Sequence, residues 1–261
     1  DGVARQVDPD AFADPLANDD PANWCNALPV YNPETGCFDP TDLECVPSPA
    51  FGTPGGANFQ CELCYCQDPE GAWQEANAPA VGDLVITEVF GNTPGAENAD
   101  WEWIEVASIG DTSVDLTCVT PRFDGSDGAP LHATNVGCRA LEPGGLAVLC
   151  SDAEGGAATG LEGCLVYDAK ALKGSNNTIE LVSGDEVIAT AFYESLADGV
   201  SLQLADTAVG ECAYSFADGD LAWCDTPAGE IYTTLPKPDA PEETLFFVGT
   251  PGEMNPCCPV E

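Results

Sequence analysis

Three glutamates have the residue type and spacing that come closest to acid–base chemistry in this sequence. Glu88 stands in the apolar run LVITEVF at residues 84–90, and Glu102 and Glu105 stand in WEWIEV at residues 101–106. Carboxylates on neighbouring strands can act as general acid and general base, or they can bind a metal ion. No Arg, Lys or His stands near them to tune their pKa values. We therefore favour a structural role, in which they accept backbone or hydroxyl hydrogen bonds at the edge of a β-sandwich.

Nucleophilic catalysis has no supporting set of residues either. The chain has a single histidine, His132, in a Gly- and Asp-rich stretch, and no serine stands in a G-x-S-x-G sequence. A hydrolytic triad needs a base beside the nucleophile and an acid that orients the base, and the sequence indicates no partner for His132. We predict that the protein is not an enzyme.

The cysteine content is typical of an exported, oxidised protein. Fourteen cysteines accompany only one methionine, and their even number suits pairing. We predict an extracellular or cell-surface location and disulfides that close short loops. The favoured pairs are close in sequence: Cys212 with Cys224, Cys150 with Cys164, Cys118 with Cys138, and Cys37 with Cys45.

The sequence C-x-x-C-x-C at residues 61–66 allows a second interpretation for three of the cysteines. A CxxC pair is a common half of a zinc site. The other half is missing, because no second CxxC and no nearby histidine accompanies this one. We therefore favour disulfides for Cys61, Cys64 and Cys66 as well.

Two acidic loops offer the hard oxygen ligands that calcium prefers. The candidate ligands are Asp124, Asp127, Asp218 and Asp220. Calcium binds six to eight oxygens, but neither loop has the EF-hand spacing or a calcium-binding nonapeptide repeat. Two interpretations stay open: an ordered Ca²⁺ site in at least one loop, or solvated acidic loops. We predict no other cofactor.

The charge balance limits the class of partner. The 45 acidic and 6 basic residues give a formal net charge of −39, which excludes unassisted binding to nucleic acid or anionic lipid and favours cations, divalent ones included. With 44% hydrophobic residues the chain can still bury a core. No apolar stretch reaches the roughly 18 to 20 residues that span a bilayer, so we expect no membrane insertion.

Short strands are the elements that must position these residues. The 27 glycines and 22 prolines favour strands joined by turns over long helices. Apolar runs recur at spacings of roughly 10 to 15 residues, which is too short for the helical crossovers of a parallel sheet. The runs lie at residues 84–90, 101–106, 113–119, 145–150, 178–183, 186–193 and 200–204. They predict an all-β, antiparallel sandwich.

Motifs in this order make residues 82–255 similar to one known family. The motifs are LVITEV at 84–89, WEWIEV at 101–106, VDL at 114–116, LEPGG at 141–145, TIEL at 178–181, GVSLQ at 199–203, Trp223 and GTPGEMN at 249–255. Together they resemble the lamin tail domain family, in the form found in secreted bacterial proteins. The resemblance implies an immunoglobulin-like β-sandwich.

The sequence also contains a partial internal repeat. DGVARQV at residues 1–7 aligns with DGVSLQL at 198–204, and GTPGGAN at 52–58 aligns with 249–255, both at an offset of 197 residues. Trp24-Cys25 aligns with Trp223-Cys224 at an offset of 199. Residues 1–58 therefore resemble the last third of a second lamin tail domain. A Cys-rich connector follows at 59–81, and residues 256–261 match the start of a further connector or a tail.

A last third without its own earlier strands must pair with strands from elsewhere. Either the 261 residues are one window on a tandem array, or residues 1–58 dock on a neighbouring subunit. The apolar residues that would make this contact are Val3, Val7, Trp24 and Phe51. We expect a structural subunit or repeat of an extracellular bacterial fibre, sheath or surface layer that assembles with itself head to tail. The alternative is an adhesive or anchoring module of a secreted multidomain protein.

Overall fold

Short apolar runs separated by turn residues form the strands of this chain. A computed structural model describes residues 5–7, 24–26, 64–94, 99–127, 130–131, 137–167, 172–206, 221–237, 240–253 and 255–256. The chain divides into two units, Asp1–Glu75 and Ala76–Glu261. This boundary lies within the predicted connector at residues 59–81. We call them the N-terminal unit and the C-terminal unit.

The N-terminal unit contains two described hairpins. The first joins strands β1 (Arg5–Val7) and β2 (Trp24–Asn26), and the second joins β3 (Tyr65–Gln67) and β4 (Trp73–Glu75). Both pairs are antiparallel. Asp68 closes the second hairpin, because its Oδ1 accepts a hydrogen bond of 2.8 Å from the amide of Ala72.

A six-stranded sheet is the centre of the C-terminal unit. Its strands are β5 (Leu84–Phe90), β6 (Trp103–Ser108), β11 (Leu146–Cys150), β12 (Leu165–Val166), β15 (Leu202–Asp206) and β16 (Leu221–Asp225). They lie in the order β12-β11-β6-β5-β15-β16. All neighbours are antiparallel except β11 and β12. Strands β5 and β6 are therefore the middle of the sheet.

A four-stranded sheet forms the second layer. It contains β8 (Val119–Phe123), β9 (Ser126–Asp127), β13 (Ser175–Ser183) and β14 (Glu186–Ser195), in the order β14-β13-β8-β9. Apolar side chains of both sheets make one buried core, to which β5 and β6 contribute Ile86 and Ile104, and β13 contributes Ile179 and Leu181. Burial of this core provides the main driving force for folding of the unit.

A second apolar cluster covers the outer face of the six-stranded sheet. Strands β17 (Ile231–Lys237) and β18 (Ala240–Val248) form an antiparallel hairpin. Phe247 of this hairpin lies 5.7 Å, centroid to centroid, from Phe90, which stacks at 5.7 Å on Trp103. Trp103 also donates a hydrogen bond of 3.0 Å from Nε1 to the hydroxyl of Tyr232. Polar groups between the hairpin and the sheet are thereby shielded from water.

The fold class agrees with the sequence prediction: the chain is an all-β, disulfide-stapled sandwich. The predicted strand at residues 113–119 is wrong in part, because only β7 (Val114–Asp115), which pairs with β10 (Ala140–Leu141), and Val119, the first residue of β8, belong to strands. A 3₁₀ turn, Leu116–Cys118, follows it. Asp115 Oδ1 caps this turn by accepting hydrogen bonds from the amide and hydroxyl of Thr117 at 2.9 and 2.5 Å. A short helix, α1 (Ala153–Ala158), begins after its capping residue Asp152.

Candidate functional site

Two buried glutamates form a carboxylate pair in the middle of the six-stranded sheet. Glu88 on β5 and Glu105 on β6 are cross-strand neighbours, and both have 0% of their surface exposed. The pairing register shifts between Ile86 and Glu88, so a β-bulge adjoins the pair. The sequence placed these glutamates at the sandwich edge, and this was wrong. They are covered by the chain segments that pack on the outer face of the sheet.

Glu88 accepts hydrogen bonds from three different segments. Its Oε1 accepts from the hydroxyl of Ser201, from the hydroxyl of Thr226 at 3.3 Å and from the amide of Thr250 at 3.0 Å. Its Oε2 accepts from the Thr250 hydroxyl at 3.0 Å. Gln203 extends the network, because its Oε1 lies 3.1 Å from the Thr226 hydroxyl and shares the single proton of that hydroxyl with Glu88. Glu88 therefore ties β5 to the open end of the β15–β16 hairpin, where Ser201 and Thr226 are neighbours, and to residues 249–255.

Glu105 has fewer donors, one for each oxygen. Oε1 accepts from the Thr87 hydroxyl at 2.7 Å, and Oε2 accepts from the amide of Gly252 at 2.6 Å. Gly252 has a φ of 80°, a backbone conformation that favours glycine. Glu102, the third predicted glutamate, lies apart from the pair and accepts from the amide of Leu172 at 3.2 Å.

Residues 249–255, which we call the closing segment, need small residues to reach the carboxylate pair. A Cβ atom at Gly249 would lie 3.0 Å from Trp103 Cζ2 and 3.1 Å from Glu88 Oε1, so a side chain there would displace the segment. Asn255 fastens the far end, since its Nδ2 donates to the carbonyl of Thr87 at 2.8 Å. The glycines and polar residues of the GTPGEMN motif thus have defined structural roles.

Burial makes both members of the pair weak acids. Desolvation, together with the charge of Glu88, raises the pKa of Glu105 from 4.5 to about 8, against the lowering effect of the hydrogen bonds from Thr87 and Gly252. Desolvation also raises the pKa of Glu88, although its hydrogen bonds, the one from Ser201 foremost, lower it. The pair therefore resists holding two negative charges.

The hydrogen bonds of the carboxylate pair hold neighbouring segments of the chain together. All four carboxylate oxygens accept hydrogen bonds from hydroxyl or backbone groups, which is the structural role expected from the sequence. Sequence reasoning did not assign Ser201, Gln203, Thr250 or Gly252 to the site, although all four lie in the motifs of the lamin-tail resemblance. Thr226 lies outside those motifs and had no signal.

The predicted calcium ligands are only partly described. Asp124 forms an ion pair with Lys173, and its Oδ1 accepts from the amide of Thr178 at 2.9 Å. These contacts lower the pKa of Asp124, the Lys173 hydrogen bond most. Asp127 belongs to β9, and its side chain lies outside the description. Asp218 and Asp220 lie outside the described residues, and calcium binding stays a prediction.

The cysteines that the structure describes with their side chains are all in disulfides. Cys150 and Cys164 form a disulfide, as the sequence favoured. The other disulfide-bonded cysteines are Cys64, Cys66, Cys118, Cys138 and Cys224. Pairing of Cys118 with Cys138 stays a prediction. Cys37, Cys45 and Cys212 lie outside the described residues, so their pairings stay predictions as well.

The two repeat hairpins pair in the same register. In the N-terminal unit Gln6 lies opposite Cys25 and Val7 opposite Trp24. In the C-terminal unit Gln203 lies opposite Cys224 and Leu204 opposite Trp223. These are the residues that the offsets of 197 and 199 match. Of the predicted assembly residues, Val7 and Trp24 are thus strand neighbours, whereas Val3 and Phe51 lie outside the described residues.

A cleft offers a second candidate site. It has a volume of about 410 Å³ and is lined mostly by apolar residues near the Cys150–Cys164 disulfide, with Arg139 and Glu162 as its charged members. Among the described residues, no acidic side chain forms an ion pair with the Arg139 guanidinium. An apolar pocket of this kind suits an apolar ligand whose single carboxylate lies at Arg139 and away from Glu162.

Within the described ranges, no helix has the length and apolar character that crossing a bilayer requires. Comparison of the chain with protein-family models finds no matching family, and comparison with curated proteins finds no matching relative.

Proposed function

We propose that this protein is a structural subunit or repeat of an extracellular bacterial fibre, sheath or surface layer, which assembles head to tail through residues 1–58. The observation that carries the proposal is the shared register of the β1–β2 and β15–β16 hairpins. A hairpin that recurs with the same residue pairs supports the interpretation of residues 1–58 as a partial domain.

The C-terminal unit suggests what such a partial domain requires. There, β15 pairs with β5 through Leu202 and Gln203, and Glu88 and Glu105 hold the closing segment. Residues 1–58 have counterparts of the hairpin and of the closing segment, but none of β5 or β6. Strands of that kind would come from a preceding repeat or from a neighbouring subunit. Either source joins one unit to the next in a fixed direction, which favours a filament.

Disulfides and charge suit an assembly outside the cell. The Cys150–Cys164 disulfide closes a loop of the sheet, and disulfides persist in oxidising compartments. A net charge of −39 keeps separate filaments from aggregating, and divalent cations would relieve the repulsion between subunits.

Light scattering after size-exclusion chromatography tests the proposal. We expect the full chain to elute as a concentration-dependent series of oligomers and the variant that begins at Ala76 to elute as a folded monomer. A full chain that stays monomeric at all concentrations would contradict the proposal. A variant that remains oligomeric would place the contact outside residues 1–58.

The cleft beside Arg139 supports the alternative, an adhesive or anchoring module. In that case the protein would be a monomer, and Arg139→Ala would weaken binding to its carboxylate-bearing ligand. Binding to a panel of immobilised acidic glycans and peptides, compared between this variant and Arg122→Ala, is the corresponding test.

A further inference from the structure

No positively charged side chain of the described residues contacts the carboxylate pair. Among the described residues, the basic side chains with ion pairs have partners elsewhere: Arg122 with Glu180, Lys173 with Asp124, and Lys237 with Glu243. The groups that contact Glu88 and Glu105 are hydroxyls and backbone amides. Neutral donors stabilise a carboxylate less than a cation does, and two adjacent carboxylates repel each other.

Each element that packs on the carboxylate pair contributes neutral or acidic groups. The β17–β18 hairpin contributes Tyr232, whose pKa burial raises, so that the hydroxyl stays neutral. Strand β15 contributes the neutral Gln203, and the residue after β16 is the neutral Thr226. The acidic neighbours are exposed: Glu230 precedes β17, and Glu253 lies in the closing segment. None of these groups supplies a positive charge.

We infer that Glu88 and Glu105 form a proton-binding site, in which the pair holds one proton at neutral pH and this proton fastens the closing segment onto the sheet. The contact atoms fit this role, because protonated Glu105 can donate from Oε1 to the Thr87 hydroxyl oxygen at 2.7 Å while its Oε2 still accepts from the Gly252 amide. The Thr250 amide and hydroxyl are on one carboxyl group and the Gly252 amide is on the other, so both groups hold the same short stretch of chain. The inference concerns the C-terminal unit alone and does not depend on the assembly proposed above.

The raised pKa values support the same conclusion. Glu105, with a pKa of about 8 when the segment is closed, keeps its proton at neutral pH. When the segment opens and water reaches the group, its pKa returns toward 4.5 and the proton leaves. Closure is therefore strongest below about pH 4.5 and weakens about tenfold per pH unit as the pH rises toward 8, above which it becomes independent of pH.

Amide hydrogen exchange measures this directly on the full chain. We expect the protection factors of the Thr250 and Gly252 amides, corrected for intrinsic exchange, to fall about tenfold per pH unit between about pH 5 and 8. Glu105→Gln, whose amide imitates the protonated acid, should remove most of this slope. The control Glu180→Gln, at an ion pair with Arg122 on the other sheet, should keep the wild-type slope.

Equal slopes in the wild type and Glu105→Gln would overturn the inference. Carbon-13 NMR of the glutamate carboxyl groups in the wild type decides the matter even if the variant fails to fold. We expect one carboxyl resonance to titrate well above the others, with a midpoint near 8. Titration of every glutamate between about pH 4 and 5 would refute a bound proton.

Discussion

The β15–β16 hairpin and the β1–β2 hairpin share a register but differ at the carboxylate site. Ser201 and Thr226, which donate to Glu88, precede β15 and follow β16. At the offsets of 197 and 199, Ala4 and Ala27 stand at these two positions. Gln6, by contrast, matches Gln203. The hairpin is thus retained in both copies, whereas the hydroxyls that satisfy a buried carboxylate occur in only one.

This difference shows which residues form the hairpin and which form the site. Strand pairing depends on backbone groups and on the alternation of side chains, so it tolerates Ala for Ser or Thr next to the strands. A buried carboxylate depends on donors at specific positions, because an unsatisfied charge is unfavourable away from water. It follows that residues 1–58 satisfy a Glu88-type carboxylate less well than residues 198–255 do, which disfavours exchange between the two copies within one sandwich.

The largest expected effect that separates the two units is on pH dependence. Because Glu105 has a pKa of about 8 when folded and 4.5 when unfolded, the folded C-terminal unit binds more protons between these values. Its unfolding free energy should fall by about 4 kcal/mol from pH 5 to pH 8. Urea denaturation of the variant that begins at Ala76 measures this fall. An unfolding free energy of that variant that does not change with pH would contradict the raised pKa of Glu105.

Loss of the Glu88 carboxylate should have the next largest effect. Glu88→Ala leaves the donors on Ser201, Thr226 and Thr250 without their shared acceptor, so the C-terminal unit should lose about 3 kcal/mol. Denaturation at pH 6 is the measurement. Glu186→Ala, at an exposed strand end, serves as the control and should change stability by less than about 0.5 kcal/mol. Equal losses in both variants would contradict the site.

Exchanging the residues that differ between the copies sharpens the comparison. Ser201→Ala with Thr226→Ala gives the C-terminal unit the pattern of Ala4 and Ala27, and should destabilise it by about 2 kcal/mol through two lost hydroxyl donors. Thermal unfolding reports the change. The reverse variant, Ala4→Ser with Ala27→Thr, should leave the melting of the C-terminal unit unchanged. A shift in that melting would mean that the copies compete for Glu88.

The smallest expected effect concerns the oxidation state of Cys25. Cys25 matches Cys224, which is disulfide-bonded, so we expect Cys25 to be oxidised as well. Alkylation of the unreduced, denatured protein followed by peptide mass spectrometry should find no label on the Cys25 peptide. Label on Cys25 together with none on Cys224 would show that the two hairpins differ in their covalent structure.

The short apolar runs of the sequence predicted the sheet centre well, because an apolar run bounded by turn residues is typical of a buried strand. The run at 84–90 is β5 without change, and the favoured role of the glutamates as hydrogen-bond acceptors agrees with the observed contacts. Their central position was not predictable from spacing, since it depends on β15 pairing with β5 from more than a hundred residues away.

The β17–β18 hairpin, which covers the site, was also not predicted from the sequence. Strands β17 and β18 contain Pro236 and Pro241, and proline usually signals an interruption of a strand. The hairpin accommodates one of them with an irregular register between Pro236 and Lys237. Thr226 could not be predicted because a single threonine after a strand has no pattern. Only the fold brings it beside Glu88.

Electron microscopy of the untruncated protein tests the central claim, head-to-tail assembly through residues 1–58, most directly. The proposal predicts filaments in which residues 1–58 of each repeat lie on lamin-tail-like strands outside their own C-terminal unit. Single particles of one chain's mass, with residues 1–58 ordered on the C-terminal unit of the same chain, would contradict it.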